Sequence, residues 1–115
     1  MTKPRDPYSS LFDILTASKN IVQFVNGMTL EQFENDNRTS FAVQHQLMVI
    51  GEATKRISPE FREKNPNVPW KKIAGLRDVL IHQYDNASSS QVWIAIQNEL
   101  PALITNVETL LVDKK

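Results

Sequence analysis

Apolar residues return at every third or fourth position along almost all of this 115-residue chain, a spacing that suits helices and little else. Leu11, Ile14, Leu15, Ala17, Ile21, Val22, Phe24 and Val25 make the first run, and Gly27 stands where a C-capping glycine would stop it. "TLEQF" opens a short helix, with Thr29 and Gln32 spaced as a capping box. "NDNR" at 35–38 reads as a turn, and a longer helix is expected from Thr39 to Ile57. Ser58 and Pro59 supply an N-cap and a first helical residue. "KNPNVP" at 64–69 reads as a loop whose last proline starts the next helix. "DNASSS" at 85–90 then leads into a final long helix carrying Trp93, Ile96, Leu100, Ile104, Val107 and Leu111 on one stripe. Pro101 falls inside that stripe and should kink the helix without ending it, because the periodicity resumes beyond it. No strand-type alternation appears. The expected fold is all-α: a single domain over residues 1–115, an up-and-down bundle of about five helices with short connections.

Composition narrows the chemistry. Cysteine is absent, which removes disulfides, thiolate nucleophiles and cysteine-ligated metals together. His45 and His82 are the only histidines, so a histidine-rich metal site is not expected, and neither is a cofactor. The longest apolar run, "LMVI" at 47–50, is far short of a membrane span. "MTKPRDPYSS" lacks the apolar core of a signal peptide, so a cytoplasmic location is expected. Net charge is zero, but its distribution is uneven. From Lys55 to Arg77 there are seven basic residues (Lys55, Arg56, Arg62, Lys64, Lys71, Lys72, Arg77) against Glu60 and Glu63, a local balance of +5. That segment is either a solvated surface or a holder of phosphates.

It leads directly into "RDVLIHQY" at 77–84. On a helix, Ile73, Leu76, Arg77, Leu80 and Ile81 share one face, so Arg77 lies within an apolar stripe, where an unpaired charge costs several kcal/mol. Either a carboxylate such as Glu52 pairs with it, or it waits for an anion on an inter-subunit seam. Asp78 and His82 are four apart and can meet on the helix surface. A carboxylate beside an imidazole fixes its tautomer and prepares it for proton transfer, although a helix-end histidine on the last carbonyls is the plainer reading. An arginine for a pentavalent phosphate and a histidine for a proton together describe metal-free phosphodiester cleavage. Five residues along an ideal helix set Arg77 and His82 about 140° apart. A site composed from two subunits across a two-fold axis removes that difficulty and also accounts for the buried arginine.

The stretch has the pattern R-x-x-x-x-H-x-Y and resembles the HEPN ribonucleases, specifically the HepT-like toxins. "FDILTASKNIVQF", "VIGEATKRISPEF", "VPWKKIAGLRDVLIHQY" and "VWIAIQNELPALI" resemble segments of that family in the same order and together cover nearly the whole chain. The resemblance implies a HEPN-type bundle acting as a homodimeric, metal-independent endoribonuclease that leaves a 2′,3′-cyclic phosphate. It implies Arg77 and His82 as the catalytic pair, with Asp78 at a polar position that is often asparagine in relatives. Tyr84 matches the tyrosine that a cognate MntA-type nucleotidyltransferase antitoxin modifies with AMP; without the resemblance it reads as a helix-end packing residue. The rival reading is a non-catalytic nucleotide-binding or scaffold domain partnering a nucleotidyltransferase.

Glu52 shares a helical face with Phe41, His45 and Met48, opposite Val43, Leu47, Ile50 and Ile57. A helix apolar on both sides is expected at the centre of a bundle, with Glu52 orienting Arg77 or held in a buried ion pair and His45 packed in the core or an interface. Trp70 and Trp93 are expected as core anchors, and Lys71 and Lys72 as RNA phosphate contacts or plain surface.

Overall fold

Asp6, Thr29, Asp36 and Ser58 each offer a side-chain oxygen to a backbone N–H two or three residues on, and four helices begin at these caps. The computed structural model describes residues 6–75 and 89–113. Among them run α1 (Pro7–Phe24), α2 (Leu30–Glu34), α3 (Asn37–Lys55), α4 (Pro59–Lys64), α5 (residues 70–75) and α6 (Ser89–Val112), with no strand. The all-α expectation holds, with one more helical segment than the five expected. The Thr29–Gln32 capping box is complete: the Gln32 N–H donates to Thr29 Oγ1 at 3.1 Å, and the Thr29 N–H donates to Gln32 Oε1 at 2.9 Å. Gly27 lies in the turn after α1 with φ +78, a conformation that suits a residue without Cβ.

α3 starts two residues earlier than expected, because its cap is Asp36. The Thr39 hydroxyl and N–H both donate to that carboxylate, at 2.6 and 3.0 Å, and hold it below the usual carboxylate range. The helix also ends earlier, at Lys55, where Arg62 folds back from α4. The Arg62 Nε donates to the Ile57 carbonyl at 3.1 Å, and Nη2 reaches the Ile57 and Thr54 carbonyls at 2.9 and 3.3 Å. Carbonyls left over at a helix end thereby gain a cationic partner. Replacing Arg62 by alanine is expected to cost about 1–3 kcal/mol, seen as a lowered thermal midpoint. Lysine should not restore it, having no planar fork. An unchanged midpoint in Arg62→Ala would show that water serves those carbonyls equally well.

Leu11, Ile14 and Ile21 of α1, Val43, Leu47 and Ile50 of α3, and Ile96, Leu100, Leu103 and Val107 of α6 form one core, each at most 3% exposed. α1 packs on both α3 and α6, while α2 bridges the two from one end. Among the described residues the long helix packed on both other long helices is therefore α1, whereas the two apolar sides of α3 led one to expect α3 there. Phe33 is the buried residue of α2 and lies 5.3 Å from Trp93, centroid to centroid. Among the described residues, ion pairs at or near the surface join Lys19 to Glu108 at 3.1 Å and Arg56 to Asp13 at 3.7 Å; such pairs contribute about 0–1 kcal/mol each. α6 continues through Pro101. Pro101 and Gln97 are both exposed, so the carbonyl that loses its N–H partner has water within reach. No helix among the described residues is long and apolar enough to cross a membrane.

Candidate functional site

Arg77, Asp78, His82 and Tyr84 lie outside the described residues, and so does the arrangement of the four with one another. What the structure describes is the approach to them. After α4 the chain turns through residues 65–69, with the Val68 N–H on the Asn65 carbonyl at 3.3 Å and the Trp70 N–H on the Val68 carbonyl at 2.8 Å. The Trp70 indole then donates back to two carbonyls, Arg62 at 3.1 Å and Asn65 at 3.0 Å. Its ring meets Phe61 edge-on at 6.5 Å, and Phe61 in turn meets Tyr8 at 5.7 Å. Asn106 of α6 holds the outside of the same turn through the Asn67 carbonyl at 3.1 Å. Trp70 is thus the anchor expected of it, while Trp93 is half-buried against Phe33.

α5 follows from that anchor. Trp70 and Ile73 are buried, at 9% and 2% exposure, three positions apart on one helical side. Burying that side turns Lys71 and Lys72 out to solvent, where both are exposed. In sequence the two lysines precede Arg77 by six and five residues.

The rest of the basic segment is less uniform than its charge count implied. Arg62 is committed to the end of α3, and Arg56 leans on Asp13. Lys55 and Lys64 are exposed. The cationic surface offered to a polyanion is therefore smaller than +5. The sequence carried a hint of this: a helix separated by only three residues from the end of another brings its first basic side chain back over the preceding carbonyls.

Glu52 lies on the exposed side of α3, and His45, two turns earlier on the same side, is exposed and not packed in the core. Phe41 and Met48 share that face at 67% and 43% exposure. The reason is the layering: α1 covers only the Val43–Leu47–Ile50 side of α3. Among the described residues, no group of three or more histidine, cysteine or acidic side chains converges as a metal site would require.

Comparison with known proteins adds what the described residues alone do not carry. The family model described as Ribonuclease HepT-like matches residues 14–110. A Methanocaldococcus jannaschii protein provisionally named an RNase is 40% identical over 95% of this chain and 90% of its own length. One of Caldanaerobacter subterraneus subsp. tengcongensis, also provisionally named an RNase, is 40% identical over the full length of both chains. A Thermococcus cleftensis protein provisionally named ribonuclease HepT is 36% identical over 87% of this chain and 91% of its own. No solved structure matches.

Proposed function

This chain belongs to the HepT-like ribonuclease family, and from that premise we propose that it is the toxin half of a type VII-like toxin–antitoxin pair, a metal-independent endoribonuclease working as a homodimer. The observation that carries the reading is the extent of the match: residues 14–110 take in the whole of "RDVLIHQY" and the segments on either side of it. The family supplies RNA as the substrate class. The residues supply a mechanism of matching chemistry.

In this mechanism His82 takes the proton from a ribose 2′-hydroxyl, and the freed oxygen attacks the adjacent phosphorus. Arg77 neutralises the charge that gathers on the equatorial oxygens of the phosphorane. The P–O5′ bond breaks, a proton passes to the leaving oxygen, and a 2′,3′-cyclic phosphate remains on the upstream fragment. Asp78 and Glu52 orient the pair, and Lys71 and Lys72 hold flanking phosphates. Two copies bring Arg77 and His82 into one cleft, which overcomes their separation around a single helix.

Tyr84 is the control point. A cognate MntA-type nucleotidyltransferase transfers AMP from a nucleoside triphosphate to the phenol oxygen and releases pyrophosphate. The tethered phosphodiester then competes with RNA for Arg77 at high effective concentration.

Co-expression tests the reading. The wild-type chain should arrest growth and degrade RNA. With the nucleotidyltransferase present, its mass should rise in steps of AMP on Tyr84 and growth should return. Tyr84→Phe should stay toxic in the presence of the antitoxin. If Tyr84→Phe is neutralised as well as wild type and no adduct forms, Tyr84 has a packing role and inhibition comes from direct binding.

A further inference from the structure

Three prolines and a tryptophan line one groove beside the turn that leads into α5. Pro59 opens α4, Pro66 lies in the turn itself, and Pro69 offers its carbonyl to the Ile73 N–H at 3.1 Å. With Trp70 they bound an open space of about 480 Å³, whose other walls carry Arg62, Glu63 and Lys71. That volume lies inside the range of roughly 300–1,000 Å³ found for small-molecule sites. The groove is set before anything enters it. A proline ring has no rotamers to lose, and the Trp70 indole is fixed by its bonds to the Arg62 and Asn65 carbonyls. Those bonds also occupy the indole's single donor, so the floor of the groove is apolar.

The charges at the rim say what fits. Arg62 and Lys71 stand against Glu63, two cations to one carboxylate, which favours a polyanion over a neutral molecule. Lys71 is exposed, so its ammonium can meet a phosphate from solvent; Arg62 keeps its charge while its N–H groups serve the end of α3. Glu63 is the informative residue. A carboxylate repels phosphate and only accepts hydrogen bonds, so it suits an RNA strand only where a base turns N–H groups toward it. An unpaired base splayed from a single strand does so with its Watson–Crick edge. Among the four bases guanine alone has two adjacent donors there, N1–H and the N2 amino group, to match the two carboxylate oxygens. Lys71 precedes Arg77 by six residues, a length of chain that reaches about 20 Å at most. A strand seated in the groove thus comes to the proposed catalytic arginine within a few nucleotides.

We propose that this groove binds an unpaired guanine of the RNA substrate, packed against Pro59, Pro66, Pro69 and Trp70. Glu63 accepts from the Watson–Crick edge, and Lys71 holds the adjoining phosphate. This site rests on the ribonuclease reading above and gives it a base preference.

Fluorescent 2′-O-methyl uridine oligomers test the site with the full chain, since they have no 2′-hydroxyl to attack and are not consumed. An oligomer with one central guanosine should bind about 10-fold more tightly than one with adenosine in its place. Inosine, which lacks the N2 amino group, should fall between them. Glu63→Gln should erase the difference, because a carboxamide has one acceptor oxygen. Lys71→Gln should instead weaken all three alike and flatten the salt dependence. Both side chains are exposed, so each variant should keep wild-type helicity. A guanosine preference that survives Glu63→Gln would overturn the assignment to this groove. Equal affinity for the three oligomers, or none, with cleavage of ordinary RNA intact, would overturn the guanine site and leave the ribonuclease reading standing. A chain that neither binds the oligomers nor cleaves RNA would overturn both.

Discussion

On the proposed mechanism, His82→Ala should lower RNA cleavage by about 10²–10⁴-fold, the range that a positioned proton-transfer group contributes. The purified variant should show this on a labelled RNA, with helicity equal to that of wild type. Arg77→Ala should fall by about 10²–10³-fold, since it would remove the charge proposed to meet the phosphorane oxygens. EDTA should leave the wild-type rate unchanged, because neither proposed step calls on a metal. The DNA version of the same strand should survive, having no 2′-hydroxyl to attack with, and the RNA product should carry a cyclic phosphate end. Strict dependence on added divalent metal, or full activity in His82→Ala, would refute the mechanism.

The second large effect falls on stability. Phe33→Ala should cost about 3–5 kcal/mol, the range for an aromatic truncated in a core. α2 has five residues, too few to persist as a helix on its own, and Phe33 is its buried residue, fully out of solvent. Removing the ring takes from Trp93 its neighbour at 5.3 Å and separates α2 from the core that joins α3 to α6. Urea denaturation should show a midpoint well below that of wild type. Phe33→Leu, which keeps most of the volume, should lose much less. A small loss in Phe33→Ala would mean that α2 is held by its capping box and not by burial.

Local signals were legible in the chain wherever physics acts over a few residues. Thr29 with Gln32, and Ser58 with Pro59, named their helix starts because the cap and its N–H partner are three residues apart. The boundary at Asp36 was misplaced because "NDNR" offers competing short polar side chains, and only Thr39, bonding twice, decides among them. The outer face of α3 was misjudged for a different reason. Periodicity shows that Phe41 and Met48 share a side but carries no information on which neighbour covers it; among the described residues α1 and α2 are the helices packed on α3, and Phe41 and Met48 stay exposed. Counting charges likewise could not separate Arg62, bound to carbonyls, from Lys71 and Lys72, which face water. The candidate catalytic pair is legible by pattern alone, since an ideal helix would set Arg77 and His82 about 140° apart.

The clasp between Arg62 and Trp70 works as a ruler. Arg62 grips the end of α3 with its guanidinium, and its own carbonyl receives the Trp70 indole eight residues later. The interval is closed at both ends, and Asn106 pins the turn between them. An extra residue in 65–69 would have to break one of those bonds or turn the helix that follows by about 100°. Such a turn would swing Lys71 and Lys72 toward the core and draw Ile73 out of it. Descendants of this chain can therefore exchange side chains in the turn, but insertions and deletions there should be purged, and loop length becomes an inherited constant of the fold.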